Sequence, residues 1–164
     1  MDSLKIAHAL EKLHPTPSLH LDNGYTERVQ TTISGLVYAL APIGMPRIPE
    51  TLLNPRSAEY FHETRAKRFG MPLPELAKSE RAGEKAWESA DEGVAELRKI
   101  LHEHEEGPYV MGKEVSFADF IVAGFWRFVE KLDQGGDLFG RAMKVDEAFP
   151  RHYEACEKWL ERDD

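Results

Sequence analysis

A chain of 164 residues is long enough for one domain with a substantial core, and 41% hydrophobic with 30% charged residues is an ordinary folded composition. Its 29 acids against 21 bases leave a net charge of −8, which argues against a nucleic-acid-binding surface. The single cysteine, Cys156, excludes an intrachain disulfide and fits a reducing compartment. No apolar run reaches the ~18 residues that a membrane helix needs, and Met1-Asp2-Ser3 lacks the basic start of a signal peptide, so a cytoplasmic protein with no membrane partner is expected.

In chain order, Ser3 is placed to cap a helix running to about Leu13, with Ile6, Leu10 and Leu13 on one face. His14-Pro15-Thr16-Pro17 stops it, because a residue before proline is driven out of the helical region. A second helix is expected from Tyr25, with Val29, Ile33, Leu36, Val37 and Leu40 as its apolar stripe, ending at Pro42. Residues 42–54 hold three prolines and Gly44, which reads as an irregular connection with one short turn. Pro55, at a first helical position, opens a helix to Phe69 that Gly70 closes.

Pro72 and Pro74 break the chain again, and a long helix is expected from Ser79 to Glu105. Trp87, Ala90, Val94, Leu97 and Leu101 follow one another at steps of 3, 4, 3 and 4, which is a single buried seam. Gly107-Pro108 ends it, and Tyr109-Val110-Met111 is an extended link. Ser116 and Asp119 then have the spacing of an N-cap and its third-position partner, and Val115 with Phe120 fits the hydrophobic staple. From Phe120 to Trp126 the helix is apolar on nearly all sides, so it is expected to be buried at the centre of the fold. Two short helices, Leu138–Lys144 and Phe149–Glu161, complete the chain. No segment alternates as a strand does, so the fold class is all-α.

Few motifs carry chemistry. Gly107-Pro-Tyr-Val-Met-Gly112-Lys113 has the outline of a phosphate-binding loop, but Glu114 stands where Ser or Thr must hold the metal, and a helix precedes it in place of a strand. His102 and His104 lie two apart at a helix end and diverge by about 200°, so they cannot chelate one ion; no metal site is expected. Cys156 lies on the apolar side of its helix, where thiols are structural, with His152, Arg151 and Lys158 as its nearest bases. The one basic tract, Arg65, Lys67 and Arg68, has Tyr60, Phe61 and Phe69 nearby and could edge a site for an anion or an aromatic ligand.

The segment Gly112…Ser116-Phe-Ala-Asp119 opening a buried helix resembles the capping box and central helix of the glutathione transferase C-terminal domain. Asp2-Ser3-Leu-Lys-Ile-Ala-His-Ala-Leu-Glu-Lys-Leu resembles the segment that closes that family's thioredoxin-like N-terminal domain. Glu59-Tyr60-Phe61-His62-Glu63-Thr64-Arg65-Ala66-Lys67-Arg68-Phe69-Gly70 is similar to a segment of fungal transferases of the FuA and UstS-like kind, with His62 departing from their arginine. The resemblance implies a helical bundle of the C-terminal domain type. Residues 1–14 would be the last helix of an N-terminal domain, 15–24 a linker and 25–164 the helical domain.

It further implies glutathione as co-substrate, with Asp2 and Ser3 holding the γ-glutamyl carboxylate at a helix N-terminus. The hydrophobic second substrate, an aromatic compound, would sit near Tyr38, Ile43, Met45, Tyr60, Phe61 and Arg65, and Ser116 and Asp119 would be structural. Homodimers fit the family. The Tyr, Ser or Cys that activates the glutathione thiol belongs to the thioredoxin-like domain, so these residues alone are expected to be catalytically incomplete, with Ser3 misplaced or disordered. A ligand-storing binding module and a helical interaction protein are the competing functions.

Overall fold

A computed structural model of the chain describes residues 2–161, and of Asp2 only the backbone; Met1 and residues 162–164 lie outside it. Among the described residues every regular element is helical. Helix α1 spans Asp2–Leu13, α2 Tyr25–Ala39, and α3 Ala41–Gly44. A 3₁₀ turn, Met45–Arg47, then leads into α4, Ile48–Leu52, and α5 follows at Pro55–Phe69. Four elements, α6 (Leu73–Leu76), α7 (Glu84–His102), α8 (Phe117–Leu132) and α9 (Phe139–Ala142), lead to α10 (Ala148–Cys156), which runs into a last 3₁₀ turn, Glu157–Trp159.

The core forms where α7 and α8 pack against α2, with α10 laid across α7 and α8. The α2 stripe supplies Val29, Ile33, Leu36 and Leu40, and α7 supplies Trp87, Ala90, Leu97 and Leu101, all buried. Opposite them, Val122, Phe125, Trp126 and Val129 of α8 close the core, and Trp126 stacks on Phe149 at 5.1 Å between ring centres. Burying each large side chain contributes roughly 1.5–3 kcal/mol gross, against the entropy of ordering it. The central helix is not enclosed all round, since Gly124 is exposed and Phe117, Ile121 and Phe128 are half-buried.

Four sequence expectations are corrected. Residues 42–54 form three successive helical turns, because Pro42, Pro46 and Pro49 each fall at a first or second helical position, where a missing N–H costs nothing. Pro74 does the same for α6, whose Leu73 and Leu76 are buried. The long helix starts at Glu84, five residues later than its composition suggests, because Gly83 turns the chain with φ of 60°. The α1 face of Ile6, Leu10 and Leu13 points to solvent, at 57%, 51% and 71% exposure, while Ala7 is the buried position.

Helix α5 is held mostly by its ends. The Asn54 side chain accepts the Ser57 N–H at 2.9 Å, Pro55 fits the first turn, and Gly70 adopts φ of 73° beyond the last. None of its residues is fully buried, and its principal neighbour is α4. It therefore lies along the bundle as a wall and leaves a cleft beside α2.

Candidate functional site

That cleft has a volume of about 290 Å³. Helix α2 contributes Ile33, Ser34, Val37 and Tyr38 to one wall, and Ala41 and Met45 form its end. Arg65, Arg68 and Phe69 of α5 form the other wall. Its base is apolar and its rim is cationic, a combination that suits an aromatic or alkyl body with a polar end.

The sequence-predicted pocket residues divide. Tyr38, Met45 and Arg65 meet in this cleft, and Phe61 lies beside it with the Arg65 guanidinium 4.5 Å from its ring centre. Ile43 instead faces a separate hollow with Arg47, Trp87 and Arg141. Tyr60 is 70% exposed and lines neither. The periodicity of α5 explains the split. At about 100° per residue, Phe61, Arg65, Arg68 and Phe69 share one side of the helix, whereas Tyr60 and Lys67 lie on the other. That spacing could have placed Arg68 and Phe69 in the site from the sequence. The α2 residues Ile33 and Val37 carried no such signal, because they also fit the core stripe.

In the second hollow both arginines are paired with carboxylates. Arg47 donates to Asp137 and to the Leu132 carbonyl at the end of α8, and Arg141 donates to both oxygens of Glu84 while lying over the Trp87 ring at 4.7 Å. Two core voids, one walled by Leu36, Trp87, Leu97 and Trp126 and one by Leu40, Phe125, Val129 and Leu138, are about 10 and 20 Å³, too small for a ligand.

Asp119 is the best-connected polar group of the interior. Its carboxylate accepts the Val110 and Ser116 N–H groups at 2.7 Å each and the Ser116 hydroxyl at 2.8 Å, and it lies 3.1 Å from His152 Nε2. Burial pushes its pKa upward, but the His152 contact and the two amide bonds outweigh that and hold it below the usual carboxylate range. Ser116 and Asp119 form the capping box of α8, and the next N–H, of Phe117, donates to the Leu19 carbonyl at 2.8 Å, so the 15–24 segment is pinned to this helix start.

Cys156 and His152 extend the same network, with Sγ and Nε2 3.8 Å apart. This is no nucleophile–base pair, because the one ring nitrogen faces both the thiol and Asp119. Burial first, and the Asp119 charge second, push the thiol up to about 12, so almost no thiolate forms near neutral pH. His102 and His104 make separate contacts: His102 meets Asp146 at 2.7 Å and His104 the Tyr25 hydroxyl at 3.1 Å. No cluster of three metal-ligating side chains occurs among the described residues. Ser3 lies in the first turn of α1, exposed and helical, where the sequence placed it as a cap or misplaced; the Asp2 side chain is outside the described residues.

The sequence model of the glutathione S-transferase C-terminal domain matches residues 21–159, which is most of the chain. The chain belongs to the glutathione S-transferase family. Among curated relatives, the glutathione S-transferase-like protein ustS of Aspergillus flavus is 28% identical over 171 aligned positions, covering 98% of this chain and 61% of that protein. A glutathione S-transferase of Ceriporiopsis subvermispora, solved in complex with glutathione, superposes with a TM-score of 0.79 at 26% identity over 97% of this chain and 66% of its own. A glutathione transferase of Phanerochaete chrysosporium has the same fold, with a TM-score of 0.78 at 23% identity over 97% and 64% of the two chains. The chain thus spans 61–66% of the length of these relatives. Membership agrees with the all-α bundle and with the position of α8 at its centre. No described helix is long and apolar enough to cross a membrane.

Proposed function

We propose that the chain is the helical part of a glutathione-dependent transferase and that the α2–α5 cleft receives its hydrophobic, aromatic second substrate. The observation that carries this reading is the superposition of 97% of the chain on a family member that holds glutathione. In this reading residues 1–14 end the glutathione-binding domain, 15–24 link and 25–164 form the helical domain. Asp2 and Ser3, at the start of α1, take the γ-glutamyl carboxylate, where free N–H groups favour an anion. Conjugation or ether cleavage needs a thiol-activating donor. Cys156, sealed in the core with its thiol protonated, does not provide one.

Calorimetric titration of glutathione into the purified chain tests this. Weak, millimolar-range binding that Ser3→Ala weakens further is expected, since one wall of the site supplies only part of the affinity. Binding indifferent to Ser3→Ala would remove the assignment of Asp2 and Ser3, and no binding heat at all would count against a glutathione wall here.

One observation favours an additional reading as an interaction module. Ile6, Leu10 and Leu13 form an exposed apolar stripe along α1, a surface that water disfavours and another polypeptide or a second copy would cover. Light scattering across a concentration series is expected to show reversible association that Leu10→Glu abolishes; a monomer at every concentration would rule the self-association out.

A further inference from the structure

One short segment forms a wall of both hollows. Between α2 and α5 the chain runs through α3, the 3₁₀ turn and α4. Ala41 and Met45 of this segment close the end of the α2–α5 cleft, whereas Ile43, Pro46 and Arg47 line the second hollow. Helical turns this short do not hold themselves, because nucleation costs more than so few backbone bonds return. None of the three has a side-chain cap. Buried side chains fix the segment on either side, Ala41 and Pro42 in α3 and Ile48 and Pro49 in α4, but the 3₁₀ turn between them buries none.

Arg47 holds that turn. Its Nη1 donates to the Leu132 carbonyl at 2.9 Å and to Asp137 Oδ1 at 2.8 Å, and its Nη2 donates to Asp137 Oδ2. The side chain is only 16% exposed, so water competes little for these bonds. Both acceptors are themselves fixed. Leu132 ends α8 with its side chain in the core, and Asp137 takes the Gln134 N–H on Oδ1 at 3.1 Å and the Trp87 indole N–H on its carbonyl at 3.2 Å. A planar fork on a carboxylate sets direction as well as distance, which a lysine ammonium does not. Met45 stands two residues before Arg47 in the same turn and, at about 120° per residue, on a different side of it. A turn that swings free of the Arg47 acceptors therefore moves Met45 with it. The other ion pair of the hollow, Arg141 with Glu84, is more exposed and joins α9 to the start of α7 instead.

We propose that Arg47 is a positioning residue for the α2–α5 cleft: by pinning the 3₁₀ turn to the end of α8 and to Asp137 it fixes the end wall at Met45, and so sets the length of ligand that the cleft accepts. The proposal rests on the reading of the cleft as a ligand site and assigns part of its selectivity to a residue that lies outside it. Size discrimination then comes from a salt bridge in the neighbouring hollow, on the far side of the wall from the ligand.

Straight-chain primary alcohols test it through their displacement of N-phenyl-1-naphthylamine, a neutral probe that fluoresces in apolar surroundings. In the wild type each added CH₂ is expected to tighten binding about fourfold, the effect of burying one methylene, up to a length limit at which the wall stops the gain. Arg47→Met is expected to move that limit to longer alcohols by at least about one carbon, and Arg47→Lys, which keeps the charge and loses the fork, to do the same. Arg141→Met, which breaks the other pair of the hollow, is expected to leave the limit in place. A residue that only stabilised the fold would lower the melting temperature and leave the limit where it was. An unmoved limit in folded Arg47→Met and Arg47→Lys proteins would thus overturn the role of Arg47 while the cleft stands. Should circular dichroism show the Arg47 variants unfolded, Asp137→Asn, which removes one arm of the fork and spares the Leu132 bond, carries the same expectation and the same refutation. A wild-type protein that binds the alcohols without any length limit would overturn the fixed wall, and one that binds neither probe nor alcohol would overturn the cleft itself.

Discussion

Asp119→Ala is expected to destabilise the protein by about 3–5 kcal/mol, and by roughly 2–4 °C of melting temperature for each of these. One carboxylate satisfies the Val110 N–H, the Ser116 N–H and hydroxyl, and faces His152, all buried, and removing it leaves three donors without an acceptor and His152 Nε2 with only the Cys156 thiol, where water cannot reach. Each orphaned group costs about 1–3 kcal/mol before relaxation, and the costs are not additive, which sets the range. The loss also cuts three parts of the chain apart, since Val110 belongs to the link before α8, Ser116 to its cap and His152 to α10. Urea unfolding followed by circular dichroism measures it.

The pH dependence has a definite sign. The Asp119 pKa is lowered on folding, so the folded state favours the charged carboxylate and binds the proton later than the unfolded chain does. Its contribution is fully present above the ordinary carboxylate range, about pH 4, and is lost as pH falls through the folded value. The stability gap between wild type and Asp119→Asn is therefore expected to be constant near neutrality and to narrow under acid. A gap that stays constant down to pH 3 would remove the charge from the explanation.

Gly107→Ala is the second large effect, a loss of at least about 2 kcal/mol. A Cβ at Gly107 would lie 2.1 Å from the Gly112 carbonyl oxygen and 2.7 Å from the Lys113 nitrogen, both backbone atoms that cannot rotate away. The overlap would open the turn in which Tyr109 and Gly112 exchange N–H to carbonyl bonds at 3.0 and 2.9 Å. Val110, whose N–H reaches Asp119, sits in that turn, so the damage spreads to the same network. Gly124 is the control. It lies in the middle of α8, nothing stands within 4 Å of a Cβ there, and Gly124→Ala is expected to be neutral or to stabilise by up to about 1 kcal/mol through helix propensity. Denaturant midpoints of the two variants decide the matter, and a Gly107→Ala protein as stable as wild type would contradict the packing described.

These two glycines show where local sequence stops being informative. In sequence, Gly124 lies inside an apolar helix and Gly107 ends one, and nothing local ranks the two. Their contacts do, because the chain folds back on Gly107 and leaves Gly124 facing solvent. The prolines of residues 42–54 carry the same lesson, since a proline breaks a helix or opens one according to its place in the turn.

In the cleft, Tyr38, Met45 and Arg65 could be named from the family likeness, but Ile43 and Tyr60 point elsewhere. Helix phase, and the pressing of α3 and the following turn against the bundle, decide which side chains converge. Ser116 and Asp119 were legible as a pair because a capping box is made by residues three apart. That the same carboxylate also holds Val110 and meets His152, 33 positions away, was not.

The amino-acid sequence by itself determined the all-α class, the stripe of α2, the seam of α7, the ends of α5 and the start of α8. Each of these follows from interactions within a few residues: apolar spacing near 3.6, a cap, a proline at the first turn, a glycine after the last. Only the tertiary structure decided that Arg65 and Arg68 edge an apolar cleft without carboxylate partners, that Cys156 is sealed beside His152 and Asp119, and that Gly107 has no room for a methyl group. The reason is that burial, pairing and steric room belong to neighbours brought together from distant parts of the chain.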